Sequence, residues 1–255
     1  MDNPAFHALL LLSDSALPLG SFAFSSGLES YLAHHGLNQT ATRAASALTA
    51  PPAQSLDTFI DLSLRNLAST SLPYVLDAFH HPDHLPHLDN DMDASTPCTV
   101  ARRASIAQGK ALVQLWERAL AQSAMTSSPG LPALSTFITG LKYGRRDADG
   151  LFAQNAHFAP LFGVVCAALA LSAQETSYLF LLNHAKAILS AAVRASVMGP
   201  YQSHAMLASE SLQAKIKTCM RREDGKSVDY AGLTVPPMDL WIGRHELLYS
   251  RIFNS

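Results

Sequence analysis

Hydrophobic residues along this 255-residue chain recur at the three- and four-residue spacing that is typical of α-helices. One face of residues 55–68 carries five large apolar side chains: Leu56, Phe59, Ile60, Leu64 and Leu67. Alternation at a spacing of two is weak, and runs of β-branched residues are absent. The pattern therefore predicts an all-α fold.

Two stretches, residues 158–171 and 178–197, are apolar almost all round, which is typical of helices at the centre of a bundle. Between them, Ser172 and Glu175 have capping-box spacing, which predicts a helix start at Ser172. Their alanine-rich faces predict that the two helices pack closely together. We expect a single-domain helical bundle over residues 1–255, with about eight to ten helices around this central pair.

The chain begins with an apolar helix at residues 5–12, followed by a bend in which Pro18 fixes its own φ. A second helix is expected to start at Ser21 and to end at Gly36. Gly27 would lie inside that helix, where glycine costs about 0.5–1 kcal/mol relative to alanine. Such a cost indicates the close approach of another backbone.

Two polar, proline-containing segments are predicted to be surface loops, at residues 80–97 and 221–237. The first combines three prolines with histidines and aspartates, which are possible metal ligands. Its prolines argue against a helix that would align these side chains, so we favour a solvated loop over a metal site. A short helix with Pro73 in its first turn is expected at residues 71–79, and a longer helix is expected at residues 201–220.

Composition narrows the class of protein. Apolar residues make up 48% of the chain and charged residues only 15%, so extensive burial, some of it at subunit interfaces, is expected. The net charge of −2 gives no basic footprint for nucleic acid. Three widely separated cysteines argue against a disulfide scaffold and for a reducing compartment, and no uninterrupted apolar run would span a membrane. We expect a cytoplasmic protein.

Motifs for catalysis are missing from the sequence. There is no GxSxG, HExxH or CxxC, and no group of residues that we assign as catalytic or metal-binding. Histidines 157, 184 and 204 fall in or beside apolar helices, where a hydrogen-bonded structural histidine is the commoner case.

The last residues are unusually apolar for a chain terminus, since large side chains run almost to the end of residues 238–255. Exposing them is unfavourable, so this tail is expected to dock either on its own core or on a partner. We hypothesise that it orders on a partner through nine residues: Arg244, His245, Glu246, Leu248, Tyr249, Ser250, Arg251, Ile252 and Phe253.

Separate stretches of the chain resemble the UreF family of urease accessory proteins. These are SDSALPLGSFAFSSGLES at residues 13–30, HFAPLFGVVCAALALS at 157–172, YLFLLNHAKAILSAAVRASVMGPYQSHA at 178–205 and RHELLYSRIFNS at 244–255. The residues that carry the resemblance outside the tail are Asp14, Pro18, Gly20, Phe22, Ser25, Gly27, Glu29, His157, Pro160, Gly163, Arg194, Gly199, Pro200 and Tyr201. The tail departs from the usual family form, which has a polar residue near Leu247 or Leu248.

The resemblance implies a non-enzymatic helical adaptor, typically a homodimer, that acts in urease maturation. Proteins of this family join a UreD- or UreH-type scaffold and the GTPase UreG to apo-urease. Nickel would be handled by that complex, with no cofactor bound directly by this chain and no nucleic acid or membrane among its partners. An enzyme of unknown type and a generic helical interaction protein unrelated to urease remain as alternatives.

Overall fold

A computed structural model describes residues 4–34, 52–124, 128, 130–144 and 154–254 of the chain. These residues contain eleven α-helices and no β-strand, which confirms the all-α prediction and slightly exceeds the expected helix count. The first six helices are α1 (Pro4–Leu12), α2 (Leu28–His34), α3 (Pro52–His80), α4 (Leu85–Ser95), α5 (Thr99–Leu115) and α6 (Gly130–Tyr143). The other five are α7 (Phe158–Ala168), α8 (Ala173–Arg194), α9 (Pro200–Leu207), α10 (Glu210–Glu223) and α11 (Pro236–Arg244).

The 29-residue helix α3 is the element on which the bundle is built. The predicted apolar pair, α7 and α8, is buried, but each of these helices packs more extensively against α3 than against the other. The close packing predicted between the two helices is therefore less extensive than the packing of each on α3. Gly163 explains how closely α7 approaches α3, because a Cβ at this position would lie 2.1 Å from the Val75 carbonyl oxygen.

Helix α3 continues through Pro73, where the sequence predicted the start of a separate short helix. Proline has no N–H, so it leaves the carbonyl four residues earlier, that of Ser69, without its helical donor. The Gly232 N–H donates to this carbonyl at 3.0 Å, and the hydroxyls of Ser69 and Thr234 hydrogen-bond at 2.8 Å. The segment before α11 thus replaces the lost helical hydrogen bond, which lets α3 remain continuous.

Residues 80–97 are not the loop insertion that the sequence predicted. His80 ends α3, a 3₁₀ turn spans Pro82–His84, and α4 follows at once. Pro82 and Pro86 stand in first turns, where no intrahelical N–H is needed, and Pro97 lies between α4 and α5. Four residues at helical spacing on α4 are buried and attach it to the core: Leu85, Leu88, Asp89 and Met92.

The predicted helix from Ser21 is also wrong in its first half. Ser21–Ala23 is a 3₁₀ turn, Gly27 has a φ of +84°, and α2 begins only at Leu28. Its predicted end at Gly36 lies outside the described residues.

The C-terminal part of the chain is more helical than expected. One predicted helix at 201–220 is two, α9 and α10, because Ser209 caps a new start by accepting a hydrogen bond from the Leu212 N–H at 3.2 Å. The predicted loop at 221–237 shrinks to residues 224–235, which hold a 3₁₀ turn at Val228–Tyr230. The capping box at the start of α8 is confirmed, since Ser172 and Glu175 exchange backbone-to-side-chain hydrogen bonds.

Candidate partner-docking site

The C-terminal tail is anchored at two points and exposed between them. After α11, a 3₁₀ turn covers His245–Leu247 and the chain then runs without helix to Asn254. His245 has no exposed surface and Phe253 is buried, whereas most residues from 246 to 252 are exposed. We call residues 246–252 the tail arch. The two ends of the tail are therefore docked on the chain itself, which was the alternative to ordering on a partner.

A single carboxylate holds both ends of the arch. Glu29 Oε2 accepts hydrogen bonds from His245 Nε2 at 2.8 Å and from the Phe253 N–H at 3.2 Å. Glu29 Oε1 accepts from the Ile252 N–H at 2.6 Å. Glu29 is itself buried, and a buried carboxylate is stable only when donors of this kind surround it. We call these three hydrogen bonds the Glu29 clasp.

Two further contacts fasten the end of the chain. The Arg194 guanidinium lies over the Phe253 ring, 4.4 Å from its centroid, in a cation–π arrangement. The Asn254 N–H donates to the Ala23 carbonyl at 2.8 Å. Residues from three separate family stretches, around Glu29, Arg194 and the tail, therefore meet at one place.

Helix α11 is seated beside the clasp by close packing on Gly27. A Cβ at Gly27 would lie 3.1 Å from the Ile242 backbone nitrogen, so the predicted close approach of another backbone at this glycine is confirmed. Trp241 packs edge-on against Tyr31, with ring centroids 4.8 Å apart, and tilted against Phe59 at 6.0 Å. These contacts place the start of the tail next to α2.

Large apolar side chains project from the arch. Leu247 is 80% exposed, Ile252 is 63% exposed and Tyr249 has its side chain fully in solvent. The one described ion pair of the arch joins Glu246 to Arg103 of α5 at 2.8 Å. An ordered segment that presents this much apolar surface is typical of a protein interaction site.

A second buried carboxylate holds the segment before α7. Asp89 of α4 has no exposed surface and accepts three backbone hydrogen bonds, from Asn155 N at 2.7 Å, Ala156 N at 3.3 Å and His157 N at 2.6 Å. Burial raises the pKa of Asp89, and these donors limit the rise. Gly109 of α5 permits the approach, because a Cβ there would lie 1.8 Å from the Ala156 carbonyl oxygen.

His157 is fixed through both ring nitrogens. The Phe158 N–H donates to Ser105 Oγ at 3.2 Å, and the Ser105 hydroxyl lies 3.0 Å from His157 Nδ1. On the other side, His157 Nε2 lies 3.0 Å from Asp93, which also pairs with Arg102. Serine, histidine and aspartate in this order also build hydrolase triads, but this imidazole is wholly buried and Asp93 is shared with Arg102. The arrangement accounts for the expected structural histidine.

A cavity of about 390 Å³ opens between α3, α5, α8, α11 and the segment after α1. Its lining is mostly apolar and neutral polar, with Asp14, Lys186 and Asp239 among its members, and it includes His184, which is 2.8 Å from the Ser63 hydroxyl. Burial lowers the pKa of His184 to about 4, so this imidazole is neutral at pH 7. The described residues give the Asn66 side-chain oxygen in this wall no hydrogen-bond partner.

The other signature residues lie elsewhere. Asp14 stabilises the turn after α1 by accepting a hydrogen bond from the Ala16 N–H at 2.9 Å. Pro160 and Gly163 are buried in α7, whereas residues 199–201 are exposed at the start of α9. The remaining signature residues near the bend are Pro18 and Phe22, which are exposed, Gly20, which is half-buried, and Ser25, which is buried.

Sequence reasoning missed Asp89 and Asp93, because the interpretation of residues 80–97 as a loop hid α4, and it also missed Ser105 of α5. The helical spacing of the buried residues on α4 was the signal that could have revealed it. The reliance of the tail on Glu29 could not be read from spacing, since the two are more than 200 residues apart in sequence.

Among the residues described, no group of three or more histidine, cysteine, aspartate or glutamate side chains is placed to hold a metal ion. No helix in the same residues has both the length and the apolar character needed to cross a membrane.

Comparison with known proteins supports the resemblance to the UreF family. The model of the UreF family matches residues 52–210. An uncharacterized urease accessory protein UreF-like of Schizosaccharomyces pombe is 35% identical over 98% of this chain and 97% of its own length. Urease accessory protein F of Arabidopsis thaliana is 32% identical over 96% and 90%, and UreF of Actinobacillus pleuropneumoniae serotype 5b is 25% identical over 97% and 98%. The chain belongs to the UreF family of urease accessory proteins.

Proposed function

We propose that this protein is a non-enzymatic adaptor in urease maturation. In this role it bridges a UreD- or UreH-type scaffold and the UreG GTPase to apo-urease. Membership of the UreF family supports a role as a urease accessory protein. The specific partners, the absence of catalysis, the homodimeric state and a cytoplasmic location are parts of the proposal that rest on the family resemblance.

The observation that carries the proposal is the tail arch. Its ends are docked, so its exposed Leu247, Tyr249 and Ile252 side chains belong to an ordered segment and not to a frayed terminus. Burying such side chains on another protein would contribute about 1.5–3 kcal/mol for each aliphatic or aromatic residue. We therefore assign the arch as the surface that binds the UreD- or UreH-type scaffold.

Nickel is cargo in this proposal and not a resident cofactor. The chain would act by holding its partners in place, while the complex handles the ion. Its contribution to nickel insertion is then a matter of assembly, which can be measured without any reaction catalysed by the isolated chain.

The test is co-purification of the full chain with the UreD- or UreH-type protein of the same organism, followed by size exclusion with light scattering. A variant that combines Leu247→Ser and Tyr249→Ala removes the two most exposed apolar side chains of the arch. Tyr143→Ala is the matched control, because Tyr143 is a tyrosine with 81% exposure that lies at the end of α6.

We expect the wild type and the Tyr143→Ala variant to form a stable complex with two copies of each protein, and the arch variant to lose it. If the arch variant binds as well as the wild type, the arch is not the scaffold-binding surface. If well-folded wild type fails to bind, the generic helical interaction protein unrelated to urease becomes the better account.

A further inference from the structure

We propose that Glu29 is a positioning residue that holds the tail arch in the shape that binds the partner. This inference rests on the proposed function, because it concerns the same scaffold-binding surface. It adds that binding depends on a residue buried beneath the arch, which the exposed side chains alone would not identify.

The geometry of the clasp gives Glu29 control over both ends of the arch. His245 lies at the first end, while Ile252 and Phe253 lie at the second, and all three donate to the same carboxylate. Between them most residues are exposed and only Leu248 is half-buried, so packing constrains their path little. One carboxylate therefore sets the separation and direction of the two ends.

His245 makes this control sensitive to loss of the carboxylate. Its ring has no exposed surface, and its Nδ1 atom has no hydrogen-bond partner within the described residues. Without Glu29, Nε2 would also lose its partner, which would leave a buried imidazole with both nitrogens unpaired. Because buried polar groups without partners are costly, the ring is expected to leave its site and to release the first end of the arch.

Each of the other contacts of the tail holds only one end of the arch. Arg194 lies over Phe253 and the Ala23 carbonyl accepts from Asn254, both at the second end. Arg103 pairs with Glu246 at the first end, through side chains that are about half-exposed, where an ion pair contributes little. None of these contacts joins the two ends as the clasp does.

A docked arch binds more tightly than a free one because the partner does not have to order it. Each side chain immobilised on binding costs about 0.5–1.5 kcal/mol, and the backbone adds to that cost. Loss of the clasp is therefore expected to weaken partner binding by about tenfold to a hundredfold, while every side chain on the exposed face of the arch is kept.

The experiment uses the full chain and two measurements. Hydrogen exchange reports the protection of the Ile252 and Phe253 amides, and titration with the UreD- or UreH-type scaffold reports the dissociation constant. The variants are Glu29→Ala and Glu29→Gln, with Glu117→Ala as control, because Glu117 is a partly exposed glutamate that pairs with Lys142 away from the tail.

We expect Glu29→Ala to lose protection at both amides and to bind the partner about tenfold to a hundredfold more weakly. Glu29→Gln should fall between this variant and the wild type, since glutamine keeps one acceptor oxygen but turns an N–H₂ group toward a donor. Glu117→Ala should match the wild type in both measurements.

Arg194→Gln keeps the inference testable if Glu29→Ala fails to fold. Arg194 is exposed, so its loss should leave the core intact while loosening Phe253 and reducing affinity severalfold. Amides that exchange rapidly in Glu29→Ala together with unchanged affinity would overturn the inference and leave the proposed function standing. Unchanged affinity in the variant that combines Leu247→Ser and Tyr249→Ala would instead show that the arch is not the scaffold-binding surface, and failure of well-folded wild type to bind would overturn the proposed function.

Discussion

Asp89 and Glu29 are two buried carboxylates that make the same kind of hydrogen bonds to two different kinds of segment. Each accepts three hydrogen bonds from a segment that is distant in sequence. The segment held by Asp89 continues directly into the buried helix α7, and its His157 ring has partners at both nitrogens. The segment held by Glu29 ends at the C-terminus and leaves large apolar side chains in solvent.

The difference lies in what surrounds each carboxylate. Around Asp89, helices α4, α5 and α7 close over the held segment, so its hydrogen bonds stabilise the fold itself. Around Glu29, only the ends of the tail are covered, so the hydrogen bonds shape a surface. We infer that removing the first carboxylate affects mainly folding and removing the second affects mainly binding.

The largest expected effect is that of Asp89→Ala. This change would remove the acceptor of three backbone N–H groups, two of them in buried residues, and we expect a loss of about 3–5 kcal/mol in the free energy of unfolding. Chemical denaturation measures it. Asp91→Ala is the control, since Asp91 on the same helix pairs with exposed His87 at 3.3 Å and should change stability by less than about 0.5 kcal/mol.

Gly27→Ala is expected to have the next largest effect on stability, and this residue lies in the region of the tail. A Cβ at Gly27 would press on the Ile242 backbone, and a φ of +84° adds strain, so we expect a loss of about 2 kcal/mol together with a weaker seat for α11. Gly20→Ala separates the two causes, because Gly20 has a φ of +69° with open space around its Cβ position. A cost equal to that of Gly20→Ala, measured by thermal unfolding, would show that close packing on α11 contributes nothing.

Acid should weaken the Asp89 region through Asp93. Partial burial acts to raise the pKa of Asp93, but hydrogen bonds from Arg102 and His157 bring it below the ordinary value of 3.8. A carboxylate with a lowered pKa contributes stability that is present above the unfolded value and lost as the pH falls through the folded one. The stability difference between wild type and Asp93→Asn should therefore be constant above about pH 5 and shrink as the pH falls below about 4. A difference that stays constant down to pH 3 would contradict the assigned role of Asp93.

The smallest effect on stability is expected for Tyr249→Ala. This side chain is fully exposed, so its removal should change the free energy of unfolding by less than about 0.5 kcal/mol. The same variant should bind the UreD- or UreH-type scaffold measurably less well in a titration. A clear loss of stability would indicate that Tyr249 packs on its own chain and would remove it from the proposed surface.

How far the sequence predicted this structure depends on whether a signal was local. Helical spacing and the capping box at Ser172 and Glu175 are local, and both were confirmed. The effect of proline was predicted wrongly twice, at α3 and at α4. Proline lacks a backbone N–H, and its effect on a helix depends on whether that position must donate a hydrogen bond. At Pro73 the replacement donor is Gly232, which is distant in sequence.

The candidate site was predicted in its parts but not in its arrangement. The apolar tail and the signature residue Glu29 were both identified, yet nothing in their spacing joins them. Their contact depends on α11 packing on Gly27 and on a carboxylate that needs donors once it is buried. Such pairings follow from the tertiary fold. The hydrophobic pattern predicts the class of that fold but not its individual contacts.

The most direct test of this account is hydrogen exchange of the full chain with and without the UreD- or UreH-type scaffold. We expect the exposed tail arch to exchange faster than the core in the free protein, and its amides from 246 to 251 to become protected in the complex. We also expect the amides held by Asp89 to be protected equally in both states. Protection that appears on another surface, with exchange of the arch unchanged, would contradict the claim that the docked tail is the partner-binding site.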